Sequence, residues 1–412
     1  MKDKKYLAWF YSAESMNRTL SVHSFLIDRL CENFEKIYFI NMRNFKLFTD
    51  ATSNRKKEEE LNNEVDRRFK VPTNIEIFIP TTKKDLKDFM FGKQLIAINQ
   101  LGTSSSDLKI LFLLKKYHMK QVQIKNIGYS NISEIPLLGS IWKNLLFKIN
   151  KVYSHKLVVL LTNLRLISKI QIRFTDKTEI TKNIDKNYIK KILHYLNLFY
   201  VKEFILINSS YFDILKYGKF EISEDRIVLL DYNLDHPESV ALQGKINKKN
   251  VEKHYYCTYK SVDFFSKMYK KKVVVCIHPT DNLKLKKKYY PTFDVVKYET
   301  MENIYKGFLI LFFDSSAIVN AILLKKRILC LISNFTGKNI NNYSMNFIKK
   351  SGVSKINIED KIYLDKDKFL SKLDSAKKNY SNYIKSYVIP DGDNIGYEKI
   401  IKTLKERFFK TA

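Results

Sequence analysis

The chain has 412 residues, is 45% hydrophobic and 14% aromatic, and carries 73 Lys and Arg against 43 Asp and Glu, for a formal net charge of +30. That length allows two domains with a core each, and that apolar content excludes a disordered chain. Four scattered cysteines (Cys31, Cys257, Cys276, Cys330), none at CxxC spacing, argue against a zinc site or a disulfide framework.

A phosphate-bearing partner would suit the charge: a nucleotide-activated substrate or an anionic membrane surface. Abundant Lys, Asn, Ile, Tyr and Phe, as AT-rich coding gives, account for much of the excess. Arginine is sparse and no helix-turn-helix, zinc-finger or RNP signature occurs, so nucleic acid is not an expected partner. The opening "MKDKKYLAWFYSAESMNR" does not read as a signal peptide, and no run of about 18 uncharged apolar residues predicts a bilayer span. The expected place is the cytoplasm, with a surface able to touch the inner face of the membrane.

In chain order, "KKYLAWFYSAES" reads as a buried strand ending on small polar residues. "SVHSFLIDRLCENF" follows with Phe25, Leu26, Leu30 and Phe34 at helical spacing, and "KIYFINM" is a second strand. This is the β-α-β start of a parallel sheet. Residues 51–70 are charged and polar and suggest an exposed helix or insertion. "NIEIFIP", "QLIAINQLG" and "KQVQIKNIG" are further strands, with an amphipathic helix in "DLKILFLLKKYHM". Residues 136–175 mix bulky apolar residues with Lys and Arg and contain no acid. Plotted helically, Trp142, Leu145, Leu146 and Ile149 share a face, with Lys143, Lys148 and Lys151 largely elsewhere. A helix lying on an anionic membrane has this pattern, and so does a helix packed on a core with a solvated basic face.

Strand and helix alternate again from about residue 200: "FILINSSYFDILKYG", "DRIVLLDYNLDHPES", "KKNVEKHYYCTYKSVDFFSKMY", "KKVVVCIHPTDN", "FDVVKYET" and "FLILFFDSSAIVNAILLKKRILCLIS". The expected division is a Rossmann-like first domain over 1–195, a second over 196–390, and a terminal helix over 391–412 that returns to the first. The expected fold class is α/β, two Rossmann-like domains facing a cleft.

Three stretches at predicted strand ends carry chemistry, on the edge where open α/β sheets bind ligands. The loop after "RIVLLD" holds Asp231, Asp235, His236, Pro237 and Glu238; its carboxylates suit general acid–base work, or capping of a following helix. His278-Pro279 ends a strand with a titratable ring and an imide that stops the ladder; a fixed imidazole can donate to a phosphate oxygen and assist a leaving group, or be a satisfied structural histidine. Asp314-Ser315-Ser316 precedes a helix and offers N-caps, or hydroxyls and free N–H groups for an anion. The absence of glycine there excludes a Walker A loop and a GxGxxG fingerprint.

"CIHPTDN" followed by "FFDSSAIVNAILLKKRILCL" resembles the paired HP and Ser-Ser motifs of bacterial sialyltransferases and polysialyltransferases, within the GT-B glycosyltransferases of surface-polysaccharide synthesis. The resemblance spans roughly residues 225–335. It implies two Rossmann-like domains and metal-independent transfer of a sugar, sialic acid or a relative, from a CMP-activated donor to a cell-surface glycan or lipid-linked acceptor, with no cofactor. His278 and Pro279 would then meet the donor phosphate, with His278 assisting departure of the nucleotide, and Ser315 and Ser316 would bind the same phosphate. Asp231 or Asp235 would deprotonate the acceptor, although the acids here are spread through DYNLD where the family has two adjacent acids and a glycine. The same HP and Ser-Ser layout occurs in teichoic-acid glycerophosphotransferases, which makes CDP-polyol phosphate transfer an alternative. A non-catalytic protein binding surface polysaccharide or lipid is the alternative from another class.

Overall fold

A computed structural model of the chain describes residues 6–11, 16–42, 72–91, 93, 95–100, 105–125, 157–158, 160–176, 201–234, 246–278, 281–336, 338–360 and 365–409. These fall into two compact units. The first draws on residues 1–127, 140–213 and 390–412, and the second on 128–139 and 214–389.

The first unit holds a seven-stranded sheet in the order β3-β2-β1-β4-β5-β6-β7. Its strands are β1 (Tyr6–Tyr11), β2 (Lys36–Asn41), β3 (Ile75–Phe78), β4 (Leu95–Gln100), β5 (Lys120–Lys125), β6 (Ile170–Thr175) and β7 (Val201–Leu206), and every pairing is parallel. Helices α1 (Met16–Asn33), α2 (Lys83–Met90) and α3 (Ser105–Lys116) provide crossovers. Covered on both faces, the strands are near-continuous apolar runs such as LAWFY. Alternate residues feed opposite cores: Ala8 and Phe10 on one side, Leu7, Trp9 and Tyr11 on the other.

Two sequence expectations change here. The segment around "FILINSS" does not begin the second domain: β7 is the edge strand of the first sheet, and the unit continues to Asp213. Within residues 136–175, read as one amphipathic basic segment, "IQIRFT" is the inner strand β6. Its alternation was hidden because Arg173 is buried, its Nε donating to Gln123 Oε1 at 2.9 Å. The charged stretch 51–70 and the face of Trp142, Leu145, Leu146 and Ile149 lie outside the described residues.

The second unit repeats the plan with six parallel strands in the order β10-β9-β8-β11-β12-β13. They are β8 (Arg226–Leu230), β9 (Lys272–Ile277), β10 (Asp294–Lys297), β11 (Gly307–Phe312), β12 (Arg327–Ile332) and β13 (Ser354–Asn357). Between them run α4 (Ser210–Tyr217), which crosses from the first unit, then α5 (Lys248–Tyr269), α6 (Leu283–Tyr289), α7 (Thr300–Tyr305), α8 (Ile318–Leu323), α9 (Lys338–Ser351) and α10 (Lys366–Ala376). Counting from the first strand of each unit, both sheets have the 3-2-1-4-5-6 order of the doubly wound fold, extended by one strand in the first. The progression of strand order reverses between β8 and β11, which is where such sheets open a crevice at their C-terminal edge.

The terminal helix α11 (Gly396–Phe408) belongs to the first unit. Tyr397, Ile400, Ile401 and Leu404 pack in one core with Leu26, Ile27 and Leu30 of α1. The approach is clasped by polar groups after β7. Asn208 Nδ2 donates to the carbonyls of Gly392 and Asn394, both at 2.6 Å, and Asp213 accepts the N–H groups of Gly396 (3.0 Å) and Tyr397 (3.1 Å). Asp213 thereby caps a helix far along the chain, satisfying N–H groups that α11 leaves open. A Cβ on Gly396 would sit 2.9 Å from Asp213 Oδ2, so the contact needs glycine. Burial pushes the Asp213 carboxyl up to about 7, against the two N–H donors that favour its charged form.

Candidate functional site

The strands that carry the sequence-predicted groups are neighbours. β9 and β11 flank β8, and register fixes the level of their ends: Leu230 pairs with Cys276 on one side and with Phe312 on the other. His278, Tyr232 and Asp314 each follow two residues beyond that paired level, with Ser315 and Ser316 next. At about 4.8 Å per strand spacing, the ends of β9 and β11 lie about 10 Å apart across β8. His278, Asp314, Ser315 and Ser316 are all half-buried. Pro279 and Asp235 lie outside the described residues.

The strands rise to this edge as buried runs, RIVLL, KVVVCI and GFLILF, so the polar groups begin where the apolar cover stops. After β9, Asp281 bonds back to His278. Asp281 N–H donates to the His278 carbonyl at 2.9 Å, and Asp281 Oδ2 accepts the His278 N–H at 3.1 Å. Asn282 then caps α6 by accepting the Leu285 N–H.

Behind this turn lies a buried ionic cluster that sequence reasoning missed. Lys286 Nζ donates to Asp231 Oδ2 at 2.5 Å, to the Tyr255 hydroxyl at 2.6 Å and to the Tyr232 carbonyl at 3.2 Å, and stands 3.5 Å from Asp281 Oδ2. Tyr290 OH donates to Asp231 Oδ1 at 2.8 Å. The Lys286 side chain is 4% exposed and that of Asp231 0%. Burial alone would lower the Lys286 pKa, but Asp231, Tyr255 and Asp281 outweigh it and hold the ammonium charged well above its usual range. Burial pushes Asp281 up to about 6, with Lys286 opposing and Asp231 adding to the rise. The cluster ties the end of β8 to the His278 turn through charge-assisted bonds.

Asp231 is therefore not placed as a free carboxylate at a crevice. Both its oxygens are occupied and no part of its side chain meets solvent, so in this arrangement it holds the edge together and does not face an acceptor. Sequence offered little signal for the cluster: Lys286 sits in "LKLKKKYY", where it looks like any other solvated lysine.

The Ser-Ser stretch also differs from expectation. α8 is preceded by Ala317, and no side chain caps it. The N–H groups of Ile318, Val319 and Asn320 donate to the carbonyls of Ser315, Ser316 and Ala317 at 3.2, 3.2 and 3.0 Å. The first turn is thus closed on itself, and its N–H groups are not free for an anion. The Ser-Ser loop also carries two half-buried hydroxyls. It is braced from below at Phe313, whose carbonyl accepts Ser344 Oγ at 2.7 Å and whose ring lies 4.9 Å from His254. His254 is fully buried, with Nδ1 3.1 Å from Ser333 Oγ; burial drives its pKa down to about 4, which makes it a neutral structural ring.

Among the described residues no group of three or more His, Cys, Asp or Glu is placed to hold a metal ion, and no helix is long and apolar enough to cross a membrane. A cavity of about 460 Å³ lies at the opposite end of the strands, lined by Arg226, Lys272, Asp294 and Asn303 among others.

No protein-family model matches the chain, and no curated protein does. Solved structures resemble it along its length. A UDP-N-acetylglucosamine 2-epimerase from Listeria monocytogenes is 10% identical with a TM-score of 0.48, over 99% of this chain and 98% of that one. The UDP-GlcNAc 2-epimerase of Methanocaldococcus jannaschii is 14% identical at 0.47, over 98% and 99%. The calicheamicin glycosyltransferase CalG4 is 8% identical at 0.47, over 99% and 100%. At such values function has to be argued from this chain's own residues.

Proposed function

We propose that the chain is a glycosyltransferase that uses a nucleotide-activated sugar, with the donor phosphate received at the C-terminal edge of the second sheet. The observation that supports the reading is the register: β9, which His278 follows, and β11, which Asp314, Ser315 and Ser316 follow, both pair at their ends with Leu230 of β8, on either side of the switch point. An imidazole from one side and hydroxyls from the other can close a 10 Å gap to about the size of a phosphate group. His278 donates to that phosphate and to the departing nucleotide, and Ser315 and Ser316 hold the remaining oxygens. Charge developing on the leaving group is met by fixed donors, which is the main way a protein accelerates such a step. Asp231 and Lys286 act behind the turn by fixing it. The base that deprotonates the acceptor is assigned to the loop of Asp235, beyond the buried Asp231.

The donor is proposed to be CMP-linked sialic acid or a relative, and the acceptor a surface glycan or lipid-linked glycan, on the strength of the HP and Ser-Ser motifs. The test is a thermal-shift panel of CMP, CDP, UDP and UDP-N-acetylglucosamine. A ligand at 100 times its dissociation constant adds about 2.7 kcal/mol. Stabilisation by CMP that is lost in Ser315→Ala/Ser316→Ala supports the reading. Stabilisation by CDP with none by CMP transfers it to polyol-phosphate transfer, and no nucleotide effect at all overturns it.

A further inference from the structure

The cavity at the opposite end of the second sheet has no part in the donor reading. Its volume of about 460 Å³ falls within the roughly 300–1,000 Å³ of small-molecule sites. β9 runs about 17 Å from Lys272 to Ile277, so a small ligand here does not reach the Ser-Ser edge. Register places the lining. Arg226 pairs with Lys272, and Asp294 pairs with Val274. Alternation along β9 puts Lys272 and Val274 on one face of the sheet, so Arg226 and Asp294 share that face. The other face sends Ile227, Val273, Val275 and Val295 into the core. Glu299 just before α7, Asn303 within it and Lys287 of α6 complete the polar part of the lining.

Part of that lining is held in place by its own bonds. Arg226, its side chain 16% exposed, donates to Asp225 through Nε at 2.5 Å and Nη2 at 3.0 Å, and through Nη1 to Asn303 Oδ1 at 2.8 Å. Asn303 is 4% exposed, and its Nδ2 donates to the Glu299 carbonyl at 2.8 Å. A guanidinium has five N–H donors; three are spent here, and two remain. Lys272, Lys287 and Asp294 are exposed, and among the described residues their side chains make no hydrogen bond or ion pair.

Five of the twelve lining residues are charged, three positive and two negative, so an apolar ligand would strand polar groups. A bare anion would be repelled by Asp294 and Glu299, and a cation by Arg226, Lys272 and Lys287. A ligand that suits both signs carries negative charge at one end and hydroxyls at the other. Phosphate oxygens accept from guanidinium and ammonium groups, and carboxylates accept from hydroxyls. Phe293, half-buried in the same lining, offers a ring to the apolar face of a sugar. We propose that this cavity is a second ligand site that binds a hexose phosphate, with Arg226, Lys272 and Lys287 on the phosphate and Asp294 on the hydroxyls. The proposal stands or falls independently of the donor reading.

The test is titration calorimetry of the full chain with aldohexose 1- and 6-phosphates, the unphosphorylated sugars, inorganic phosphate and glutamate. A hexose phosphate should bind saturably, and more tightly than phosphate or sugar alone. Lys272→Ala/Lys287→Ala, at exposed positions, should weaken that binding about tenfold or more. Lys368→Ala/Lys372→Ala, which removes the same charge from exposed positions on α10, should leave it unchanged, and so should Ser315→Ala/Ser316→Ala. Absence of binding by every hexose phosphate overturns the proposal. So does equal loss in the two lysine variants, or equal affinity for inorganic phosphate, since either is general attraction to a chain of net charge +30. Loss in the serine variant alone would move the ligand to the donor edge, and preference for glutamate would make this an amino-acid site; both also overturn it.

Discussion

Replacing Lys286 by Met tests the buried cluster directly. The substitution nearly conserves volume, so little of its effect comes from a cavity. It removes an ammonium 2.5 Å from Asp231 and 3.5 Å from Asp281 and leaves two carboxylates facing each other behind the His278 turn. Breaking a buried pair by deleting one partner costs about 3–5 kcal/mol, a large share of the 5–15 kcal/mol that holds an ordinary domain. The readout is hydrogen exchange in peptides covering β8 and β9, where the loss appears as opening faster by about two to four powers of ten. The penalty should depend on pH. Asp281 is already pushed up to about 6 by burial, and loss of Lys286, which opposes that rise, leaves its folded-state pKa above its unfolded one. The contribution of its protonated form is fully present below the unfolded value and is lost as pH rises through the folded one, so the variant is penalised more at pH 8 than at pH 5. Asp231→Asn combined with Lys286→Met should recover much of the loss, because replacing both partners is often near neutral. Exchange in Lys286→Met within about 0.5 kcal/mol of the parent at pH 8, or strict additivity in the double variant, would refute the argument.

Asp213→Asn should gain stability relative to the parent as pH rises from about 4 to 7. The parent carboxyl is held up to about 7, so its contribution is present at low pH and lost through that window, at about 1.4 kcal/mol per pH unit as a ceiling; a pH-independent difference in urea midpoints would contradict this. His278→Ala should lower turnover of the donor identified by thermal shift by about 10²–10⁴-fold, with nucleotide still bound. Equal turnover would remove His278 from the chemistry. Ser315→Ala/Ser316→Ala should instead weaken nucleotide binding without changing exchange in β8 and β9, separating ligand contacts from the structural cluster. Ala at Gly396 should loosen α11, since its Cβ would meet Asp213 Oδ2 at 2.9 Å, and faster exchange confined to α11 and α1 is the expected sign.

Much of the architecture was written in local pattern. LAWFY, KIYFIN, RIVLL and KVVVCI are apolar on both faces because helices cover both sides of a parallel sheet. The 22-residue α5 follows from its apolar spacing and its Asn247 cap. Period and caps are properties of neighbours along the chain, so a sequence displays them. Strand order, and with it the level of His278 against Ser315, depends on which strand pairs with which, and only the folded sheet decides that. The same holds for charge. Nothing in "LKLKKKYY" separates Lys286 from the lysines beside it; a helix phase and two strand ends bring it against Asp231 and Asp281. Likewise Asp213 caps α11 from 183 residues away. Sequence determined the elements and the residue types at their ends, because those obey local rules. Tertiary structure decided which of those groups are buried together and which remain at the edge for a ligand, because burial and pairing are set by distance in space.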